Sequence, residues 1–303
     1  MKLEAQLKSL LTVFIAVLAS LPPSALAAMT PVEVRAFEQH RLKANKGEAE
    51  SQFMLGNCYA SGEGVEIDGV KSVLWYRKAA DQGHVDSQLY LGFCYQDGFG
   101  VAKDQSQAVF WWRKAAEQGS AEAQFNLGVY FENGFGVAAD QEQAATWYRK
   151  AAEQGKPEAQ YNFGLRCLNG VGLPKDQVQA VFWFRKAAEQ GESKAQYNLG
   201  VCYSDGDGVA KDQSQAVFWW RKAAEQGNAK AQFNLGSRYQ SGQGVPKDEI
   251  EAYAYWNIAG ITIEAARNNL SILEKRLPPE ARILGQQRTK ELLKVIEAKK
   301  AGK

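Results

Sequence analysis

Residues 121–155 read AEAQFNLGVYFENGFGVAADQEQAATWYRKAAEQG, and this stretch contains one complete structural unit of the chain. Leu127 and Phe131 belong to an apolar set at helical spacing, as one packed face of a helix requires. The segment 133–136, Asn-Gly-Phe-Gly, ends that helix because its two glycines allow positive φ angles and a tight reversal of the chain. A second helix follows and ends at Gly155, since glycine is the residue that most often terminates a helix. The stretch therefore predicts a helix–loop–helix unit.

The second helix of this unit begins with a predicted capping box. In such a box Asp140 accepts a hydrogen bond from the first turn, and Gln143 returns one to the backbone of the capping residue. The same pair of positions recurs along the chain as Asp104/Gln107, Asp176/Gln179, Asp212/Gln215 and Asp248/Glu251. We therefore expect every second helix to start in the same way.

The whole unit recurs at a constant spacing of 36 residues. The glycine inside the first helix recurs at Gly56, Gly92, Gly128, Gly164, Gly200 and Gly236. A large aromatic residue of the second helix recurs at Trp75, Trp111, Trp147, Trp183, Trp219 and Tyr255. A glycine inside a helix costs up to about 1 kcal/mol relative to alanine, so a recurrent one needs a packing reason. We expect this aromatic series to fill the space beside the glycines.

At these residues the chain resembles the Sel-one-like repeat (SLR) family, a relative of the tetratricopeptide repeat. The family pattern, A-x-A-Q-F-x-L-G-x-x-Y-x-x-G-x-G-V-x-x-D-x-x-x-A-x-x-W-Y-R-K-A-A-x-Q-G, stands here at residues 121–155, and the resemblance extends over 49–259. It implies an all-α fold, a right-handed α-solenoid of six 36-residue repeats whose first helices line the concave side. Members of the family are mostly adaptors or scaffolds, and exported bacterial members often bind other proteins, including host factors.

The sequence predicts four segments. Residues 1–27 form a signal peptide, with Lys2 and Lys8 before a short apolar run and Ala-Leu-Ala before the cleavage point after Ala27. The remaining three segments are an N-terminal capping half-repeat at 28–47, six repeats at 48–263 and a C-terminal helical cap with a basic tail at 264–303. Polar caps are expected because the terminal repeats of a solenoid must cover its apolar ends. The signal peptide predicts a periplasmic or secreted protein of a bacterial envelope, without a membrane span after cleavage.

Composition gives no indication of catalysis, a cofactor or nucleic-acid binding. The formal net charge is +2, which offers no general attraction for nucleic acid. The only two histidines, His40 and His84, lie in different parts of the repeat array without a ligand-spaced partner, and we interpret both as surface helix residues. We therefore predict no metal site, no cofactor and no enzyme activity.

The four cysteines all fall on first helices. One cysteine-rich branch of the resembled family is linked to β-lactam hydrolysis, and its disulfides join the two helices of one repeat. Here Cys58, Cys94, Cys167 and Cys202 lie in four different repeats, so none has a partner in its own repeat. We predict buried thiols and no intramolecular disulfide.

Positions that vary between near-identical repeats are free to serve binding. The residue after each repeat glycine, at Asn57, Phe93, Val129, Leu165, Val201 and Ser237, is expected to face the concave groove. So is the residue three before the glycine, at Phe53, Leu89, Phe125, Tyr161, Tyr197 and Phe233, although an inter-helix core would show the same series. Six before the glycine the chain has Glu50, Asp86, Glu122, Glu158, Lys194 and Lys230, which predicts a groove that is acidic at one end and basic at the other.

These observations favour an exported, monomeric, non-enzymatic scaffold that binds a peptide or protein segment, from a host or envelope protein, in its concave groove. Two alternatives remain open. One is a β-lactam-binding or hydrolysing enzyme, which recurrent cysteine pairs within repeats would favour. The other is an envelope structural protein that binds peptidoglycan or polysaccharide, since sugars also stack on aromatic side chains.

Overall fold

The computed structural model describes residues 30–301, and this part of the chain is all-α. It contains fifteen helices: α1 (Pro31–Ala44), α2 (Ala49–Ser61), α3 (Gly69–Asp81), α4 (Val85–Asp97), α5 (Gln105–Glu117), α6 (Ala121–Asn133), α7 (Gln141–Glu153), α8 (Pro157–Asn169), α9 (Gln177–Glu189), α10 (Ser193–Asp205), α11 (Gln213–Glu225), α12 (Ala229–Ser241), α13 (Glu249–Ala259), α14 (Glu264–Arg276) and α15 (Pro279–Ala301). The even-numbered helices from α2 to α12 are the first helices of six repeats, and α3 to α13 are the second helices. The predicted α-solenoid with helical caps is confirmed. The predicted signal peptide lies outside the described residues.

The chain divides into two compact units, an N-terminal unit up to Ala151 and a C-terminal unit from Ala152. Within each unit, helices that follow each other in the chain pack together: α2 on α3 and α4 on α5 in the first, α8 on α9 and α10 on α11 in the second. Between residues 30 and 301, none of the helices combines the length and the apolar character that a bilayer span requires.

The second helices begin at aspartates, as predicted. The carboxylate of Asp104 accepts the backbone N–H of Gln107 at 3.0 Å, and Asp212 accepts that of Gln215 at 3.0 Å. Each bond satisfies a donor that the first turn of a helix otherwise leaves open. The capping boxes are only half right, because no glutamine side chain returns the bond at these second helices in the described residues. A complete box is formed by Thr30 at the start of α1.

The glycine inside each first helix faces an aromatic ring, but not the one predicted. A Cβ atom placed on Gly128 would lie 2.7 Å from Cδ1 of Tyr148, and one on Gly92 would lie 2.2 Å from Nε1 of Trp112. The rings beside the six glycines are Tyr76, Trp112, Tyr148, Phe184, Trp220 and Trp256. The Trp75 series was therefore the wrong choice by one position. Because consecutive residues of a helix point about 100° apart, Trp147 packs on a different side of the same helix.

A recurrent glutamine joins each second helix to the first helix that follows it. In the N-terminal unit, Nε2 of Gln88 donates to the carbonyl oxygen of Ala80 at 3.1 Å, and Oε1 of Gln88 accepts Nε2 of Gln118 at 2.8 Å. In the C-terminal unit, Gln196 makes the same pair of bonds, to Ala188 and Gln226. Each side chain adds a second hydrogen bond to a carbonyl group at a helix C-terminus, where the following turn supplies the first: the backbone N–H of Gly83 donates to Ala80 at 2.9 Å, and that of Gly191 donates to Ala188 at 3.0 Å.

Helical caps cover the ends of the array. In the N-terminal unit Phe37 and Ala44 of α1 form a core cluster with Leu55 and Cys58 of α2. In the C-terminal unit Leu292 and Ile296 of α15 join the core of the last repeats, whose members include Val217, Trp220, Leu235, Tyr255 and Ile258. Both caps thus supply apolar surface that a further repeat would otherwise provide.

Candidate functional site

The predicted groove positions of the N-terminal unit are mostly buried. Phe53, Leu89, Phe93 and Val129 are each at most 9% exposed. The ring of Phe93 packs edge-on against that of Trp112, with 5.5 Å between the centroids. Phe53 is similarly surrounded, so in this unit these side chains stabilise the contact between helices.

Phe125 differs from its neighbours in the N-terminal unit. Its side chain is partly exposed, and its ring centroid lies 5.8 Å from that of Tyr148. Phe125 and Asn57 are therefore the members of the predicted set in this unit that a ligand could reach.

In the C-terminal unit all the predicted positions are partly exposed. They are Tyr161, Leu165, Tyr197, Val201, Phe233 and Ser237. Val201 also packs against the core that contains Trp220, and Phe233 packs against the core that contains Trp256. The sequence pattern alone does not distinguish this unit from the other.

A cleft of about 410 Å³ opens between the first helices of this unit. Its lining consists of Tyr161, Lys194, Tyr197, Asn198, Asn228, Ala229 and Lys230. Volumes of roughly 300–1,000 Å³ are typical of ligand sites in proteins. The cleft brings together two of the predicted groove residues and both lysines that the sequence placed beside them. The two asparagines were missed, although Asn198 belongs to a recurrent series with Asn126, Asn162 and Asn234 that could have drawn attention to it.

Each lysine of the cleft lies over a tyrosine ring of the preceding repeat. Nζ of Lys194 is 5.9 Å from the ring centroid of Tyr161, and Nζ of Lys230 is 6.0 Å from that of Tyr197. Both ammonium groups stand in the first turn of their helices, and both side chains are exposed. No carboxylate within residues 30–301 forms a recorded ion pair with either lysine.

The tyrosines of the cleft stay neutral at physiological pH. Burial raises the pKa of Tyr161, and the charge of Glu192 adds to that rise, whereas an interaction with the side chain of Asn198 opposes it. Burial also raises the pKa of Tyr197. Their rings are therefore neutral surfaces on which apolar groups or cations can pack.

The equivalent first-turn positions of the earlier repeats are acidic, as the sequence shows. Oε2 of Glu50 lies 3.0 Å from Nε2 of His84, and Glu158 forms an ion pair of 3.4 Å with Lys156.

The prediction that His84 is a helix-surface residue is wrong. His84 is the residue before α4, and its ring nitrogen accepts the backbone N–H of Ser87. This capping role explains its orientation without a metal, and no group of side chains suited to holding a metal ion occurs in the described part of the chain.

The thiols lie in the interior of the helix pairs. All four cysteines are buried. Burial raises the pKa of Cys58 to about 11, that of Cys94 to about 12 and that of Cys202 to about 11. Thiols with such a pKa are protonated at neutral pH and are poor nucleophiles.

Comparison with solved structures identifies close structural relatives. The chain is 35% identical to a protective antigen of uropathogenic Escherichia coli strains that displays an SLR fold, with a TM-score of 0.75. The likeness covers 84% of this chain and 56% of the antigen, so the chain spans little more than half the length of that relative. A Sel1 repeat protein from Oxalobacter formigenes is 32% identical, with a TM-score of 0.61, over 75% of this chain and 96% of that protein. No curated protein matches the chain.

A protein-family model gives the same answer for the repeats themselves. The model described as the Sel1 repeat matches six successive segments, at 49–84, 85–120, 121–156, 157–192, 193–228 and 229–260. These segments follow each other without a gap and include both helices of every repeat. With six matched repeats and two solved structures of the same kind, the chain belongs to the Sel1 repeat family.

Proposed function

We propose that this protein is an exported, non-enzymatic scaffold that binds a peptide or protein segment along its first helices. Sel1 repeat proteins are generally protein-interaction scaffolds, and their all-helical fold is typically not catalytic. The observation that carries the proposal is the cleft of the C-terminal unit. There Tyr161 and Tyr197 are partly exposed, while the matching side chains Phe53 and Leu89 of the other unit are buried.

Export and the choice of partner belong to the same proposal. The predicted signal peptide would deliver the chain to the periplasm or beyond the cell, where a host or envelope protein is the expected partner. One relative is a protective antigen of uropathogenic Escherichia coli strains, which supports export. N-terminal sequencing of the protein recovered from a periplasmic or culture fraction should begin at Ala28.

The predicted groove residues divide into two roles in this proposal. The proposed contacts with the partner are Tyr161, Leu165, Tyr197, Val201 and Phe233 of the C-terminal unit, and Phe125 is a separate candidate within the N-terminal unit. The buried residues Phe53, Leu89, Phe93 and Val129 stabilise the packing of the first helices against their neighbours. Large anchors that become fully desolvated at the centre of an interface dominate binding energy, so the tyrosines should matter most.

A capture experiment with paired variants tests the proposal. The purified chain is immobilised, and proteins that bind it from envelope extract or host-cell lysate are identified and then titrated individually. Replacing Tyr161 and Tyr197 by alanine should weaken binding of the captured protein at least tenfold. The control replaces Phe182 and Phe218, which are 44% and 45% exposed on the second helices of the same unit, and should leave binding unchanged. Equal binding by both double variants would refute the assignment of the site.

A further inference from the structure

The lining of the cleft alternates between rings and positive charges. Tyr161 of α8 and Tyr197 of α10 supply two neutral rings, and Lys194 and Lys230 supply an ammonium group beside each ring. The same tyrosine–lysine pair is thus presented twice, one repeat apart. A ligand that fits this lining carries apolar groups for the rings and negative charges for the lysines.

The positive charge of the cleft is open to a ligand. Both lysines are exposed and lack a recorded carboxylate partner within residues 30–301. Each stands in the first turn of its helix, where the helix dipole adds to the attraction for an anion. The charge of Glu192 acts on Tyr161, but the Oε1 atom of Glu192 accepts the backbone N–H of Lys194 at 3.1 Å, which holds this carboxylate at the start of α10.

The asparagines of the cleft favour a peptide as the occupant. An amide side chain offers both a donor and an acceptor, which matches the N–H and C=O groups of an extended backbone. Oδ1 of Asn228 accepts the backbone N–H of Ala231 at 3.1 Å, so its Nδ2 group is left as a donor. Asn198 also lines the cleft, where its side chain interacts with Tyr161.

The distance between repeats sets the spacing of the ligand's charges. Packed helices lie roughly 8–10 Å apart, and the two lysines occupy equivalent positions of successive first helices. A peptide in the polyproline II conformation rises about 3.1 Å per residue and has three residues per turn, so residues i and i+3 lie on the same side and about 9 Å apart. Two carboxylates at positions i and i+3 of a peptide extended in this way would therefore reach both lysines.

We infer that the cleft binds an acidic, extended peptide segment, with two Asp or Glu residues three apart on Lys194 and Lys230 and the aliphatic residues between them on Tyr161 and Tyr197. This inference rests on the proposed scaffold function and names the chemical class of its partner. The charges of the first-turn positions give the bound segment a direction. The position that is Lys194 in one repeat is Glu158 in the preceding repeat, and Glu158 would repel an acidic residue.

The test uses two labelled peptides of defined sequence. One has glutamates at i and i+3 separated by leucine and alanine, with proline flanks that keep it extended, and the other has glutamine in place of each glutamate. Fluorescence anisotropy measures the affinity of each peptide for the purified chain at low and at high salt. We expect the glutamate peptide to bind at least tenfold more tightly than the glutamine peptide, and we expect high salt to remove most of that difference.

Charge-reversal variants locate the effect. Lys194→Glu with Lys230→Glu should weaken binding of the glutamate peptide at least tenfold, and replacement of the same lysines by methionine should give a smaller loss. Lys186→Glu with Lys222→Glu makes the same change of net charge on the second helices of the same unit and should alter binding less than twofold. Circular dichroism and thermal melting verify that every variant is folded.

The outcomes separate this inference from the proposal on which it rests. It is overturned if the glutamate peptide does not bind, if both peptides bind equally, or if the Lys194/Lys230 variants bind like the parent. Binding of an acidic polysaccharide such as polygalacturonate, with loss in the lysine variants and no peptide binding, would also overturn it. If the protein captured with the parent chain still binds the lysine variants but not the Tyr161/Tyr197 variant, the scaffold function stands and the acidic peptide is wrong.

Discussion

The close packing of the two helices of a repeat depends on the absence of a side chain at Gly128. The first helix lies so close to the second that the ring of Tyr148 occupies the space where a Cβ atom would be. The recurrence of glycine at this position was visible in the sequence, and it correctly indicated a close approach. The sequence did not show which ring lies beside the glycine. The adjacent aromatic residues at 147 and 148 satisfy the same spacing, and only the orientation of the helix decides between them.

We predict that Gly128→Ala destabilises the fold. The new methyl group would lie 2.7 Å from the ring of Tyr148, and overpacking of this kind costs about 1–3 kcal/mol, more than the gain of up to about 1 kcal/mol in helix propensity. Urea denaturation followed by circular dichroism measures the difference. Gln143→Ala, at an exposed position of the same repeat, should stay within about 0.5 kcal/mol of the parent. A variant at Gly128 that is as stable as the parent would show that the helices can separate at no cost.

The buried thiols lead to a prediction about reactivity. In the native protein at pH 8 we expect Cys58, Cys94 and Cys202 to react slowly with a thiol reagent, because burial raises each pKa to about 11 or 12 and little thiolate is present. Their preference for the protonated state stabilises the fold fully below the unfolded pKa of about 8.5. That contribution is lost as the pH rises from there through the raised pKa of the folded thiols.

Mass spectrometry of protein denatured and alkylated without reduction should count four modified cysteines, whereas a bridge between Cys167 and Cys202 would give two.

At the scale of the helix, the inter-repeat glutamines were the largest omission of sequence reasoning. Capping aspartates and terminating glycines depend on neighbours within a few residues, and these were predicted well. The role of Gln88 depends instead on the carbonyl group of Ala80 in the preceding helix and on Gln118 at the end of the following one. A glutamine on a helix normally indicates solvent exposure, so only the packed structure reveals that this one is buried.

The effect of this glutamine can be measured directly. Gln88→Ala should cost about 0.5–1.5 kcal/mol, because it removes one buried side-chain hydrogen bond from the Ala80 carbonyl, which keeps the backbone N–H of Gly83 as a partner. Gln118→Ala should cost less, since Gln118 is exposed and water can replace it. Chemical denaturation of both variants compares the two values, and an equal loss would show that the buried bond to Ala80 adds nothing.

The groove positions mark the limit of prediction at the same scale. Tyr161 and Tyr197 line a cleft, whereas Phe93, at an equally suitable place in the pattern, packs against Trp112. Whether such a residue is exposed depends on the size of the side chains around it, and these differ from one repeat to the next. The pattern therefore predicted a set of candidates, and the packing selects among them.

At the scale of the whole molecule, stability should be local because each repeat contacts its neighbours. Leu292→Ala with Ile296→Ala removes two buried side chains of α15 from the core of the last repeats, at a cost of about 2–5 kcal/mol each. Hydrogen exchange read by mass spectrometry should accelerate at residues 213–260 and stay unchanged at residues 49–117. Leu284→Ala, at a position of α15 that is 53% exposed, serves as the control and should change neither region. Uniform acceleration along the chain would mean that the array unfolds as one cooperative block.

The glutamine junctions also have a consequence for how such a chain can change its length. Every junction of this type uses the same side chain and the same backbone carbonyl, so one repeat is chemically interchangeable with another as a neighbour. The sequence of residues 101–119 is identical to that of residues 209–227, three repeats later, as a duplicated segment would be. Excision of residues 85–120 would bring Gln124 to the carbonyl group of Ala80, which now accepts a hydrogen bond from Gln88. The gene can therefore gain or lose whole repeats of 108 nucleotides while the protein keeps the glutamine bonds between repeats. The number of repeats that can bind a ligand can thus change while the fold stays the same.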